Sequence, residues 1–298
     1  MELFIAVKGW LRKAVKFRGA AHRDAMAQPH SLVVEVPNAI SLFRLHSIPV
    51  RVPMPEHQEA LEEGCFAVTF ERKYYHRGGA FIKRTLRPRE FRTGHRGLHI
   101  PRMRKESIMN EAESLRYIRH HTNIPVPTVY CDFEDDDAYY LVTEYVQGVG
   151  MSRLTEDQKA VVREELEGHL ATLQTLKSNR LGGPSGIVIP PYRVLRRTKN
   201  DDWHLEALDH DGYVFCHNDL SQQNVIVNPD TLKISAIIDW EYAGFYPARF
   251  EWPFYTRLGP SVAGEDEADD SLELLDFLKS RSQNRNGAES TSEGPSLV

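Results

Sequence analysis

The sequence predicts an α+β protein in which strands gather around a single helix in the first half, and helices and one strand hairpin fill the second. Three observations carry this. Short apolar and β-branched runs bounded by turn residues recur between Cys65 and Arg84 and between Val129 and Val146. A helical stripe lies between those two groups of strands, and a longer capped one opens the second half. The run Val225-Ile226-Val227, the turn Asn228-Pro229-Asp230 and the run Leu232–Ile238 then read as an antiparallel pair.

The elements follow in order. Leu3, Phe4, Val7, Leu11, Ala14 and Val15 fall at helical spacing, with Lys8, Arg12, Lys13 and Lys16 between them. This is a basic amphipathic segment, resembling a presequence or an interfacial helix. Residues 20–60 show no sustained period, so residues 1–59 read as an irregular extension. Cys65–Phe70, Lys73–Tyr75 and Ala80–Arg84 read as strands, the last carrying Lys83, with Arg77-Gly78-Gly79 as the turn before it. The basic stretch 85–105 reads as a loop. From Glu106 to His121 a helix places Ile108, Ala112, Leu115 and Ile118 on one face. Glu111 lies at the edge of that face, and Glu106 and Glu113 point nearly opposite. If one acid of this helix reaches inward toward Lys83, helix phase selects Glu111. Ile124-Pro125-Val126-Pro127 ends the helix, because each proline forces its predecessor out of the helical region. Strands at Val129-Tyr130 and Tyr139–Val146 flank an acidic turn, Glu134–Asp137. Gln147–Gly150 reads as a flexible connector.

Thr155-Glu156-Asp157-Gln158 fits a capping box. Val162, Leu166, Leu170 and Leu173 continue a helical stripe behind it. Asn179–Pro191 is a Gly/Pro-rich loop, and Leu272–Leu278 a last helix. Residues 280–298 hold almost nothing to bury and read as a disordered tail.

The chain's length of 298 residues suffices for one large domain or two lobes. With 41% hydrophobic and 27% charged residues, it has the composition of a globular protein. Its net charge of −5 gives no global case for nucleic-acid or membrane binding. Three scattered cysteines without a C-x-x-C pair argue against a zinc site or disulfide framework. They suit a reducing compartment, so a cytoplasmic location is expected, with a mitochondrial one as the second reading from the basic N-terminus. No apolar run approaches the roughly 20 residues needed to cross a bilayer, so no stable membrane insertion is expected. Cys216 precedes His217, but neighbours in a strand point to opposite faces, which separates the thiol from the imidazole.

The most specific chemistry lies in His217-Asn218-Asp219-Leu220-Ser221-Gln222-Gln223-Asn224, an H-x-D-x-x-x-x-N pattern, followed by the hairpin and by Ile238-Asp239-Trp240-Glu241. Phosphoryl transfer from ATP needs one carboxylate for the acceptor hydroxyl, and an amide plus a second carboxylate for magnesium. Asn224 enters the first strand of the hairpin and Asp239 leaves the second. Antiparallel pairing brings both to one end, where they can share a cation that prefers oxygen ligands.

Together with the strand lysine, the helix glutamate and the extended connector, this order of elements resembles the protein-kinase-like fold. Asn110–Leu115, Thr122–Pro127 and Ile238–Gly244 are similar to signatures of its aminoglycoside phosphotransferase and choline kinase branch, most of all to fungal-type members. The resemblance covers roughly residues 60–278. It implies two lobes: a small antiparallel-sheet lobe with one key helix (60–147) and a mostly helical lobe (148–279). It implies an ATP- and Mg2+-dependent kinase acting on a hydroxyl of a small molecule. Asp219 would be the catalytic base, and Asn224 and Asp239 would hold Mg2+. Lys83 would meet the α- and β-phosphates, Glu111 would hold Lys83, and backbone groups from Glu144 to Val146 would meet the adenine. His217 is expected to pack and hydrogen-bond rather than catalyse.

The departures are informative. Nothing near residues 60–80 matches G-x-G-x-x-G, and Gly64 is a weak stand-in. Asn218 replaces the arginine of protein kinases, Trp240-Glu241 replaces Phe-Gly, and no A-P-E segment follows. These favour a small-molecule kinase over a protein kinase. The missing glycine-rich loop also motivates a second reading, a nucleotide-binding pseudokinase or scaffold of the same fold. A third, nucleic-acid binding through Arg84, Arg87, Arg89, Arg92, Arg96, Arg102, Arg104 and Lys105, is disfavoured because Phe91 is the one aromatic residue in that run. Glu241 and Glu251, close to the motif, are read as either attracting a cationic acceptor or serving as structural acids.

Overall fold

A computed structural model describes residues 62–95, 97–203 and 207–282. The readings of residues 1–59 lie outside these residues, as does the tail beyond Ser282. The chain divides into two compact units, one formed by residues up to Pro101 with Thr128–Tyr145, the other by Arg102–Pro127 with the chain from Val146 onward.

In the first unit, β1 (Cys65–Val68), β2 (Arg72–Arg77), β3 (Ala80–Thr85), β6 (Val129–Asp135) and β7 (Ala138–Glu144) form an antiparallel sheet in the order β1-β2-β3-β7-β6. The expected turn at Gly78-Gly79 joins β2 to β3, with Gly78 at φ 58°, a backbone region costly for other residues. Alternation along β3 divides its side chains between two faces. Ile82, opposite Tyr75 and Val142, belongs to an apolar cluster with Phe133 and Tyr140. Lys83, opposite Tyr74 and Leu141, belongs to the other face.

Arg84 shares the face of Ile82 and is fully buried. Burying a guanidinium is tolerable only when its charge is paired and its donors are used. Its Nη1 donates to Glu90 at 2.6 Å and its Nε to the Tyr75 hydroxyl at 3.1 Å. Glu90 also accepts from Lys73 at 2.8 Å and from the Arg87 amide at 2.9 Å. Burial works against ionising Glu90, but Arg84 and these donors outweigh it and hold its carboxyl well below the usual range.

The basic stretch expected as a loop is thus anchored, with a tight helical turn at Pro88–Glu90 and a short ladder between β4 (Thr93–Gly94) and β5 (Gly97–Leu98). The acidic turn between β6 and β7 narrows to Asp136-Asp137, both left-handed at φ 49° and 57°. Arg87 and Arg89 pair with Asp136 there. Arg102, in the second unit, pairs with Asp201. Four arginines of the basic run, Arg84, Arg87, Arg89 and Arg102, are therefore committed to acids.

The second unit opens with α1 (Arg104–His121), two residues earlier than expected. Ile108, Ala112, Leu115 and Ile118 are all buried, as the helical phase required. This helix clusters with the second unit rather than with the sheet. The cause is packing: α1 lies against the turn at Trp240–Tyr242, and the Ile237 amide donates to Pro125 O at 2.8 Å.

β8 (Val149–Gly150), β11 (Val225–Val227) and β12 (Ile234–Ile237) form one three-stranded sheet. The expected flexible connector is therefore partly a strand. A Cβ at Gly148 (φ 151°) would lie 2.6 Å from Val227 O, so only glycine lets the chain enter β8 this closely. α2 (Glu156–Thr175) begins at the predicted capping box, with Thr155 Oγ1 accepting from the Gln158 amide and Gln158 Oε1 accepting from the Thr155 amide. β9 (Lys177–Ser178), β10 (Tyr213–Cys216) and β13 (Gly244–Tyr246) make a second three-stranded sheet. α3 (Tyr192–Leu195) and α4 (Ser271–Ser282) pack on each other, and α4 continues past the expected start of the tail at residue 280. Among the described residues no helix is long and apolar enough to cross a membrane.

Candidate active site

The predicted hairpin is present, and it works as the sequence argument required. Val225 pairs with Ile237, and one step outward the Ile238 amide donates to Asn224 O at 2.9 Å. Asn224 and Asp239 thus stand at the same end of β11 and β12. The turn is longer than Asn228-Pro229-Asp230. Asn228 Oδ1 accepts from the amides of Asp230 and Thr231, and Leu232 takes a left-handed φ of 55° before β12 begins.

Asp219 is brought to Asn224 directly. The Asn224 Nδ2 donates to Asp219 O at 2.7 Å and stands 3.3 Å from Asp219 Oδ2. Asp219 is 4% exposed. The amide nitrogen of Asn224 is spent on Asp219, so Oδ1 is the atom it offers a cation. Asn224 Oδ1 with the Asp239 carboxylate is an oxygen donor set that fits Mg2+, which takes few protein ligands and completes its shell with phosphate and water. Among the described residues no group of three His, Cys, Asp or Glu side chains can hold a metal, so the fit rests on this carboxylate–amide pair.

His217 is fully buried and joins the two halves of the motif. Its Nδ1 accepts from the Asp219 amide at 3.3 Å, which assigns the ring proton to Nε2, and Nε2 then donates to Ile238 O at 3.0 Å. The imidazole therefore links the residue before Asp239 to the backbone of Asp219. Its ring lies 4.5 Å from that of Trp240, whose Nε1 donates to Ile237 O at 2.9 Å. The expectation of a packing and hydrogen-bonding histidine agrees with this geometry. Cys216 is buried, and burial pushes its thiol well above its ordinary range, unsuited to a nucleophile.

Two motif positions carry unusual backbone. Asn218 has φ 67° and Asp239 has φ 69°. Asn and Asp adopt this region more readily than other side-chain-bearing residues. Asn218 adds a hydrogen bond from Nδ2 to Tyr242 O at 2.8 Å. An arginine at this position, as in protein kinases, lacks both advantages.

Several supports of the loop lie outside the motif. Of the two readings of Glu251, attractor of a cationic acceptor or structural acid, the geometry shows a structural role: its carboxylate accepts the backbone amides of His217 and, at 3.4 Å, Asn218. Its Oε1 is also buried. Burial pushes its pKa up to about 7, against the pull of those amides and of Arg193. Arg193 of α3 is 3% exposed and donates to Asn218 O at 3.2 Å and Phe250 O at 2.8 Å, while pairing with Asp270 at 2.8 Å. Neither residue lies in a recognisable motif, since both act on backbone atoms from distant positions in the chain.

Of the remaining predicted residues, Lys83 (4% exposed) and Glu144 lie in the first unit, and Glu111 (5% exposed) and Val146 in the second. Lys83 and Glu111 are each buried within their own unit. Glu113 is paired with Arg116 at the surface. Glu144 Oε2 accepts from the Thr128 hydroxyl at 2.7 Å, and its amide donates to Thr128 O.

In the H-x-D-x-x-x-x-N loop every residue except Gln223 is buried, and the His217 ring hydrogen-bonds the loop to the end of the hairpin that carries Asp239. The family model described as phosphotransferase enzyme family matches residues 189–269, the segment that holds His217, Asp219, Asn224 and Asp239. It is 28% identical over 165 residues to ethanolamine kinase 2 of Mus musculus, covering 48% of this chain and 40% of that protein. It is 29% identical over 154 residues to aminoglycoside 3'-phosphotransferase of Streptomyces fradiae, covering 44% and 57%. The chain thus spans about half the length of the curated relatives it matches. Among solved structures, an aminoglycoside-3'-phosphotransferase of type VIII aligns with TM-score 0.42 and 22% identity over 77% of this chain and 89% of that one. The GDP and kanamycin complex of APH(2")-IIia aligns with TM-score 0.46 and 10% identity over 74% and 78%.

Proposed function

We propose that this protein is an ATP- and Mg2+-dependent phosphotransferase that phosphorylates a hydroxyl group of a small molecule. One observation carries the reading. Asp219, Asn224 and the residue before Asp239 are tied together by hydrogen bonds at the open end of one hairpin.

Asp219 is the group for the acceptor. Its carboxylate orients the hydroxyl and takes its proton as the acceptor oxygen bonds to the γ-phosphorus and the bond to the leaving ADP breaks. Most of its contribution is positional, because the transition state is loose. Asn224 Oδ1 and Asp239 are assigned to Mg2+, which when bound neutralises charge developing on the phosphates. Lys83 is assigned to the α- and β-phosphates, Glu111 to holding Lys83, and the backbone from Glu144 to Val146 to the adenine.

The relatives' names supply a first panel of acceptors. Ethanolamine and aminoglycosides both carry a hydroxyl beside amino groups. Asp219→Asn is expected to abolish phosphoryl transfer while leaving the thermal shift produced by ATP and Mg2+ intact. Full activity in that variant sinks the role of Asp219. The scaffold reading gains if nucleotide binds and a metabolite-extract screen yields no phosphorylated product.

A further inference from the structure

Asn110 is completely buried in α1, one residue before Glu111. Its amide is used on both sides. Nδ2 donates to Glu241 O at 3.1 Å and to Ala243 O at 2.9 Å, and Oδ1 accepts from the Ser185 hydroxyl at 2.7 Å. The two backbone carbonyls can only accept, so they fix which way round the amide sits: nitrogen toward Glu241 O and Ala243 O, oxygen toward the Ser185 hydroxyl, which donates to it. Three chain segments meet at this side chain: helix α1, the stretch that follows Asp239, and the loop around Gly183.

The backbone is shaped to this arrangement. A Cβ at Gly183 would lie 1.7 Å from Asn110 Oδ1, and a Cβ at Gly244 would lie 2.6 Å from the carbonyl of Gly182. Gly182 and Phe245 exchange both backbone hydrogen bonds, at 3.0 and 2.8 Å. No larger residue at 183 or 244 leaves the clasp intact. Bonds to the carbonyls of Glu241 and Ala243 tie the Asp239–Ala243 stretch to the helix. Asp239, at a left-handed φ, depends on the path of that stretch for its direction.

We infer that Asn110, hydrogen-bonded by Ser185, is a positioning residue that locks the Asp239 segment to helix α1 and thereby sets the metal-binding geometry. It touches neither metal nor substrate and acts through the backbone of Glu241 and Ala243. The consequence is a segment that does not swing independently of the helix bearing Glu111. This inference rests on the functional reading of Asp239 given above.

The test measures Mn2+ binding by electron paramagnetic resonance in the presence of ADP, with melting temperature alongside. Asn110→Leu strips the amide at similar size and leaves two buried carbonyls without their donor, so Mn2+ affinity is expected to fall by about tenfold. Ser185→Ala removes the hydrogen bond to Asn110 Oδ1 but leaves the amide in place, and is expected to weaken Mn2+ by about threefold with the fold retained, which keeps the test decisive if Asn110→Leu does not fold. Folded variants that melt lower yet bind Mn2+ as the wild type does would show a merely structural role and overturn the inference. A wild-type protein that binds no Mn2+ with ADP overturns the functional reading itself, and the metal role of Asn110 with it.

Discussion

Replacing Glu251 by glutamine tests whether the catalytic loop is held by a carboxylate under strain. The carboxylate receives the amides of His217 and Asn218, yet burial raises its pKa from 4.5 to about 7, and the nearby Asp219 adds to the rise. In the unfolded chain the group releases its proton near 4.5. Between the two values the native state holds a proton that the unfolded state has lost, so stability falls as pH rises through that window and levels above it. The gap between 4.5 and about 7, at 1.36 kcal/mol for each pH unit, corresponds to about 3 kcal/mol. Glutamine stays neutral and keeps an oxygen for the same two amides. The variant is therefore expected to gain about 3 kcal/mol on the wild type between pH 4.5 and pH 8. Urea denaturation of both proteins across that range measures this, and taking the difference removes every titration they share. A difference that stays constant with pH, or that moves in favour of the wild type at pH 8, refutes the argument. It would mean that the two amides outweigh burial.

Two further perturbations probe the same loop. Arg193→Met leaves Asp270 and the carbonyls of Asn218 and Phe250 buried without their donor, so a loss of about 3–5 kcal/mol is expected in denaturation. Asn218→Gly removes the bond to Tyr242 O and is expected to cost about 1 kcal/mol. Asn218→Ala adds the left-handed backbone penalty at φ 67°, about 1 kcal/mol more, so equal stabilities of the two variants would contradict the strain argument.

Much of the fold was legible because its signals are local. The capping box at Thr155, the phase of Ile108 to Ile118, the turn at Gly78-Gly79 and the strand Val225–Val227 each depend on residues a few positions apart. The hairpin argument reached further, since antiparallel pairing converts sequence order into proximity and placed Asn224 beside Asp239. Where reading failed, the deciding contact was distant in the chain. Gly148 opens a strand because Val227 passes close by. The basic stretch near residue 90 is ordered because Arg84 needs Glu90 and because Arg87 and Arg89 meet Asp136.

The sequence by itself determined the chemistry of the motif: which carboxylates and which amide stand near one another, and that Glu111 rather than Glu113 turns inward. Tertiary structure alone decided how that motif is held. Glu251, Arg193 and Asn110 grip backbone amides and carbonyls, which every residue possesses, so no side-chain pattern at the receiving end marks the contact. Their roles exist only once burial has removed water as the alternative partner.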